Sequence, residues 1–113
     1  MVKSKNYVPD KGDIVWLDFD PQAGHEQRGR RPALVISHKT YNEKIGLGIL
    51  CPITSKEKGY PFEVKVEGKK INGCVLSDQV KSLDWKIREI EFIEKANNEV
   101  VDRVVEIIKV IIE

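Results

Sequence analysis

The sequence has few residues of the kinds that mark secreted, membrane or metal-binding proteins. Its 113 residues include two cysteines, Cys51 and Cys74, and neither has a second Cys or a His at the short spacing of a zinc site. No apolar run approaches the roughly 18 residues of a membrane span. Residues 1–9 lack the apolar core of a signal peptide. These absences predict a cytoplasmic protein with no membrane association and with buried, reduced thiols.

Several common catalytic signatures are also missing. The patterns GxGxxG, Walker A, HExxH and GxSxG do not occur, which argues against the usual dinucleotide-binding, phosphate-loop, zinc-protease and serine-hydrolase classes. The net charge is only +1, but it is unevenly distributed. Residues 1–88 carry 16 Lys+Arg against 11 Asp+Glu, whereas residues 89–113 carry 3 against 7. The net positive charge of residues 1–88 could attract a polyanion, although a random distribution of charged surface residues would give similar counts.

The apolar residues that are present predict a chain of short strands in one domain over residues 1–113. Segments separated by glycine and proline predict strands at 14–19, 33–37, 45–53, 62–67 and 71–76, with one or two more within 83–93. The run at 33–37 is almost wholly apolar, as in a central strand buried on both faces. Residues 38–43 have room for a polar turn or one helical turn.

The C-terminal segment has the pattern of an amphipathic helix. Asn97 to Glu99 can cap it, and an apolar stripe follows at helical spacing: Val100, Val101, Val104, Val105, Ile108, Ile111 and Ile112. About six short strands followed by one helix predict a mainly β fold. We expect a small barrel with the helix covering one face or an open end.

The stretch GHEQRGRRP at residues 24–32 is the most distinctive polar segment. It carries three arginines and the carboxylate of Glu26, and Pro32 predicts that the strand begins only near Ala33. Arg31 is the arginine closest to that strand. A guanidinium is a planar fork of donors suited to phosphate, so Arg31 could grip a nucleic-acid backbone. A solvated loop in which Glu26 neutralises an arginine is the alternative.

Several motifs in order give the chain a family resemblance over roughly residues 7–86. They are YVPD at 7–10, GDIVWLDFDP at 12–21, EQ at 26–27, RPALV at 31–35, PIT at 52–54, KGYPFEV at 58–64 and LSDQVKS at 76–82. With these motifs the sequence resembles the MazF/PemK family, the toxin halves of bacterial toxin–antitoxin pairs. The resemblance implies an SH3-like barrel that forms a homodimer, cleaves single-stranded RNA at short motifs, and is neutralised by a partly disordered antitoxin.

The resemblance also implies a reaction that needs no metal or other cofactor. The 2′-hydroxyl attacks the adjacent phosphate and leaves a 2′,3′-cyclic phosphate and a 5′-hydroxyl end. By position in the motifs, Arg31 and Thr54 are the catalytic pair, with Glu26 as a supporting residue. His25 and His38 would suit a two-histidine mechanism, but the resemblance supports neither position.

Elementary chemistry constrains these roles. Arginine stays protonated in proteins, so Arg31 suits stabilisation of the transition state better than proton abstraction. Thr54 can donate its hydroxyl hydrogen to a phosphoryl oxygen, or can simply satisfy a backbone group at a strand end. Glu26 could act as a base or hold an arginine in place, and a carboxylate beside several arginines is a weaker base.

Further residues are candidates for RNA binding through phosphates, stacking and base edges. Basic side chains for the backbone are Arg28, Arg30, Lys56, Lys58 and Lys81. Tyr60 is a possible stacking platform, and Asp78 and Gln79 could read base edges or only satisfy a turn. We expect the antitoxin to lay an acidic segment over this positive face.

Two other functions remain open at this stage. Related barrels in other toxin–antitoxin pairs bind DNA gyrase and have no nuclease chemistry, and a barrel of this kind could also bind RNA without cutting it. The combination of Arg31 and Thr54 with a basic loop favours the ribonuclease, because a gyrase-binding toxin needs no such pair.

Overall fold

The chain forms a curled antiparallel sheet with one long helix. The computed structural model describes residues 6–19 and 29–113, and the candidates Glu26, Arg28 and His25 lie outside this part of the chain. The elements in order are β1 (Asp13–Asp18), β2 (Arg30–Val35), α1 (Lys39–Ile45), β3 (Gly48–Thr54), β4 (Glu63–Glu67), β5 (Asn72–Leu76), a 3₁₀ turn (Ser77–Gln79), β6 (Lys81–Leu83), β7 (Glu91–Lys95) and α2 (Asn98–Ile112).

The strands pair in the order β4-β5-β3-β2-β1-β7, with β6 joined to β3. On the side away from β2, β3 pairs with β6 near its start and with β5 near its end. This change of partner along one strand bends the sheet into a half-barrel. The predicted mainly β barrel with a C-terminal helix is confirmed, and the described residues form seven strands rather than about six because the three-residue β6 is a strand of its own.

The central strands are buried on both faces. One face of the sheet packs against α2 and contributes Ile14, Leu34 and Cys51 to the core. The other face contributes Val15, Ala33 and Val35, among others, to a second core that Leu83 and Trp85 complete. Because successive side chains of a strand point to opposite faces, both sets must be apolar. The predicted two-sided burial is confirmed at Ala33, Leu34 and Val35, which are each 0% exposed.

The predicted C-terminal helix is present, but its buried face differs in detail. Val101, Val104 and Ile107 are its buried residues. Ile107 was not in the predicted stripe, whereas Ile111 and Ile112 were predicted in it and are 45% and 74% exposed. Apolar residues occupy both 107–108 and 110–112, so spacing alone left the contact face ambiguous. The burial shows that α2 packs through its first turns and that its last turn is largely exposed.

Three predicted boundaries were wrong. The strand predicted at 45–53 begins at Gly48, because α1 runs to Ile45 and ends at Gly46, whose φ of 78° and N–H bond to the Asn42 carbonyl form a helix C-cap. The region 83–93 contains only the end of β6 and the start of β7.

The third boundary is the start of β2, which begins at Arg30 and includes Pro32. Residues 33–35 pair with both β1 and β3, whereas Arg30 to Pro32 pair with β1 alone. A proline is tolerated there because its missing N–H falls where the ladder to β3 has ended.

The cysteines behave as predicted. Cys51 and Cys74 are buried and unbridged. Burial, with a smaller contribution from Asp78, raises the pKa of the Cys51 thiol to about 12. The thiol is therefore protonated at neutral pH.

Neither of the two helices in residues 6–19 and 29–113 is long and apolar enough to cross a membrane.

Glu94 links the two ends of the strand order. β4 and β7 are the terminal strands of this order, and the Glu94 carboxylate of β7 accepts backbone N–H bonds from Lys69, Lys70 and Ile71 in the β4–β5 turn at 3.0, 2.9 and 2.8 Å. Partial burial raises the pKa of Glu94, but these hydrogen bonds outweigh it and hold the pKa below its ordinary value. The charged carboxylate thus helps to close the half-barrel.

We predict that Glu94→Gln lowers the free energy of unfolding by about 1 kcal/mol at neutral pH, because the amide replaces a charged acceptor at a partly exposed, solvent-screened position. The folded-state pKa lies below the ordinary 4.5, so this stabilisation is complete above that pH and is lost as the pH falls through the folded-state value. Urea denaturation near pH 7 and near pH 3 measures it.

Glu67→Gln is the matched control, since Glu67 is an exposed β4 carboxylate that lies 3.9 Å from Lys65. An equal loss of stability at both pH values in Glu94→Gln would contradict the charge-dependent role.

Candidate active site

The antiparallel register of β2 and β3 brings Arg31 and Thr54 together. Ala33 pairs with Pro52 at the end of the ladder, and continuing the same register by two residues places Arg31 opposite Thr54. Directly opposite residues share a face of the sheet. Beyond the ladder lies a cavity of about 620 Å³. Its lining residues are Arg31, Thr54, Ser55, Lys56, Lys58, Tyr60, Phe62, Glu63, Leu76, Asp78 and Gln79.

Thr54 is the last residue of β3 and is 9% exposed. Its Oγ1 accepts a hydrogen bond from the Lys56 backbone N–H at 3.2 Å. The hydroxyl hydrogen is not used in this bond, so it can be donated to a group in the cavity. The backbone-satisfying role and the donor role foreseen for Thr54 are therefore compatible.

Gly73 lets β5 approach the backbone of Thr54 closely. Thr54 pairs with Cys74 of β5, and a Cβ added to Gly73 would lie 2.2 Å from the Thr54 carbonyl oxygen. The strand β5 runs through Gly73 without a break. Because Gly73 has no side chain, the Thr54 carbonyl can lie against the β5 backbone.

The loop between β3 and β4 forms a basic wall of the cavity. Lys56, Lys58 and Tyr60 all line the cavity. The Tyr60 side chain is 59% exposed, and the Lys58 Nζ lies 6.0 Å from the centre of its ring. An exposed ring beside ammonium groups can stack on a base while the lysines contact phosphate.

Glu63 is a cavity residue that sequence reasoning missed. Its carboxylate accepts backbone N–H bonds from Gly59 at 2.9 Å and from Lys58 at 3.2 Å. Gly59 has a φ of 77°, a conformation that favours glycine. The sequence did contain a signal for this contact: Gly59 is followed four residues later by the carboxylate of Glu63, at the start of a strand.

The opposite wall comes from the 3₁₀ turn after β5. Asp78 and Gln79 lie in this turn and line the cavity. The turn is joined to the basic wall, because the Ser77 N–H donates to the Phe62 carbonyl at 3.1 Å.

Among the candidates in residues 29–113, two do not line this cavity. Arg30 binds Asp18 at 3.2 Å, Glu91 at 2.7 Å and the Glu89 carbonyl at 2.8 Å. These contacts favour a role within the sheet over the predicted phosphate contact. Lys81 pairs with Leu50 at the start of β6, away from the cavity lining.

In the part of the chain that the structure describes, no group of three or more His, Cys, Asp and Glu side chains is arranged to hold a metal ion.

Comparison with known proteins gives the family. The model of PemK-like, MazF-like toxins of type II toxin–antitoxin systems matches residues 10–112. The chain belongs to this family. The endoribonuclease toxin MazF of Escherichia coli K12 is 52% identical to it over 82 residues, which cover 73% of this chain and 74% of the relative.

Solved structures agree with this assignment. MazF from Deinococcus radiodurans has a TM-score of 0.91 and 48% identity, covering 94% of this chain and 97% of that one. A MazE–MazF structure from the same organism has a TM-score of 0.84 and 48% identity, covering 94% and 96%. The toxin thus shares both sequence and fold with its relatives.

We predict that Gly73→Ala destabilises the toxin by about 1–3 kcal/mol, because the new methyl group would overlap the Thr54 carbonyl and force a backbone shift. Thermal or urea unfolding measures the loss. Gly48→Ala is the matched control, since a Cβ there would make contacts of 3.4 Å or more with Leu50 and Trp85. Equal effects of the two substitutions would show that close packing at Thr54 is not the cause.

Proposed function

We propose that this chain, an endoribonuclease toxin of its family, cleaves single-stranded RNA at short sequence motifs without a metal ion. One observation carries the proposal: Arg31 and Thr54 line a single cavity together with a basic loop and an exposed tyrosine. The endoribonuclease names of the relatives favour this activity over gyrase binding and over RNA binding without cleavage.

In the proposed reaction the 2′-oxygen forms a bond to the adjacent phosphorus, and the bond from phosphorus to the 5′-oxygen breaks. The 2′-hydroxyl loses its proton to a base and the leaving 5′-oxygen gains one. The products are a 2′,3′-cyclic phosphate and a 5′-hydroxyl end. The protein must therefore supply proton transfer and stabilise extra negative charge on the phosphoryl oxygens.

Arg31 suits the charge-stabilising part. It is half-buried at the strand-to-loop junction, where β1 pairing fixes its backbone opposite Leu17. A fixed guanidinium aimed at developing charge needs no reorganisation during the reaction. Thr54 adds one neutral donor to the same phosphoryl group. Glu26 remains our candidate for holding an arginine in position.

The rest of the cavity suits RNA binding. Lys56 and Lys58 would contact phosphates and Tyr60 would stack on a base, with Asp78 and Gln79 on the facing wall available for base edges. Arg28 and Lys81 are proposed contacts for the backbone beyond the cavity.

We propose two protein partners. One is a second copy of the chain, since single copies expose large apolar side chains such as Ile87 and Val110, each 75% exposed. The other is an antitoxin with an acidic, partly disordered segment, whose charge complements the basic loop. The toxin would act in the cytoplasm, where mRNA is translated.

We predict that the purified toxin cuts a long mixed-sequence RNA in EDTA at discrete positions and leaves 5′-hydroxyl ends. Arg31→Lys keeps the charge but loses the planar fork, so we expect cleavage to fall by about 10²–10³-fold. Thr54→Val keeps the shape but loses the donor, with an expected fall of about 10-fold or more. Sequencing of the new 5′-hydroxyl ends identifies both the type of cleavage reaction and the RNA motif that is cut.

Arg103→Ala is the control, because Arg103 is an exposed arginine on α2 that pairs with Glu106. Full activity of a folded Arg31→Ala variant would remove Arg31 from the mechanism. An intact RNA with folded, antitoxin-free protein would overturn the proposed activity as a whole.

We predict that the antitoxin covers the basic loop, so the double substitution Lys56→Gln and Lys58→Gln should weaken its binding and make that binding less dependent on salt. Titration at two ionic strengths measures both effects. Crosslinks confined to the acidic helix α2 would contradict this placement.

A further inference from the structure

We propose that Glu63 is a positioning residue that holds the loop 55–61 over the cavity and thereby sets the affinity of the toxin for RNA. This inference rests on the proposed function for its RNA part, whereas the claim about the loop stands on geometry alone.

The contacts of Glu63 close the loop at its base. The carboxylate accepts the N–H groups of Lys58 and Gly59, and the Glu63 N–H donates to the Tyr60 carbonyl at 3.1 Å. One residue therefore binds the backbone of three consecutive loop residues. Charged acceptors make stronger hydrogen bonds than neutral ones, so these contacts resist competition from water at an exposed site.

Other local restraints on the loop are weak by comparison. Residues 55–61 are all exposed, and Gly59 adopts a positive φ that costs glycine little but does not fix the chain. At the N-terminal end of the loop, the Lys56 N–H donates to Thr54 Oγ1. At the C-terminal end, Glu63 is the anchor.

Glu63 also couples the two walls of the cavity. It begins β4 and pairs with Leu76, directly before the turn that carries Asp78 and Gln79. The preceding residue, Phe62, accepts the Ser77 N–H. The basic loop and the facing turn are therefore both attached at residues 62–63, so a change at Glu63 shifts one wall relative to the other.

A carboxylate lining a proposed ribonuclease cavity could instead be the general base. Its hydrogen bonds favour the positioning role, because Oε1 accepts the Lys58 and Gly59 N–H groups while Oε2 shares the Lys58 N–H. A general base would act in the proton-transfer step itself, whereas a positioning residue acts through the loop. The two roles predict different kinetics.

The test is limited trypsin digestion of the RNA-free toxin, followed by cleavage kinetics. Trypsin cuts after lysine, so Lys56 and Lys58 report opening of the loop directly. We expect Glu63→Ala to raise the cutting rate at these sites by about tenfold or more, and Glu63→Gln by less, because the amide keeps one acceptor. With RNA we expect KM to rise about tenfold while kcat changes little.

Glu67→Gln is the matched control, because Glu67 lies on the same face of β4, is exposed and pairs with Lys65 of its own strand. Thermal unfolding of each variant separates loop opening from global unfolding, and Glu63→Gln, as the isosteric variant, keeps the test valid if Glu63→Ala unfolds.

Unchanged trypsin cutting in both variants would overturn the proposal. A loss of kcat with unchanged KM and a shifted acidic limb of the pH profile would overturn it in favour of a general base. If the wild-type toxin cuts no RNA, the proposed function fails, and the digestion still decides whether Glu63 holds the loop.

Discussion

The burial of the central strands on both faces is the constraint on which the rest of the structure depends. In the buried stretches of β1, β2 and β3, side chains alternate between the core under α2 and the second core. A polar group inside these strands would lie unpaired in one core or the other, at a cost of about 1–3 kcal/mol. The proposed functional side chains are therefore confined to the ends of the strands, where burial stops.

Antiparallel pairing then decides which ends meet. The start of β2 lies beside the end of β3, so Arg31 and Thr54 reach the same edge although 22 residues separate them in sequence. The remaining walls of the cavity are placed mainly by backbone contacts. Gly73 packs against the Thr54 carbonyl, Phe62 accepts the Ser77 N–H, and Glu63 binds the loop. Small changes at these positions should alter the cavity without removing any of the proposed contact residues.

Local patterns in the sequence were sufficient to predict the main strands and the C-terminal helix, but not the residues at which these elements begin and end. The apolar run around Leu34 predicted a central strand and the stripe from Val100 predicted α2, because both patterns report burial directly. The helix α1 was predicted only as a polar turn or one helical turn, because its stability depends on a distant contact: the buried Asn42 side chain donates to the Pro9 carbonyl at 2.7 Å. The role of Glu63 was missed for a related reason, since hydrogen bonds from a side chain to a loop leave no periodic signal.

Arg30 and Arg31 show how strand geometry assigns different tasks to neighbours of the same type. The sequence predicted that both arginines contact phosphate, because a guanidinium can bind a phosphate group wherever it is placed. In β2 the two side chains alternate between faces. Arg30 lies opposite Asp18 and reaches Glu91 on the next strand. Its guanidinium is therefore ion-paired within the sheet. Arg31 lies opposite Leu17 and lines the cavity. A one-residue shift in the register of β2 would move Arg31 to the other face of the sheet, so its proposed chemistry depends on the packing of Ala33 and Val35 that fixes the register.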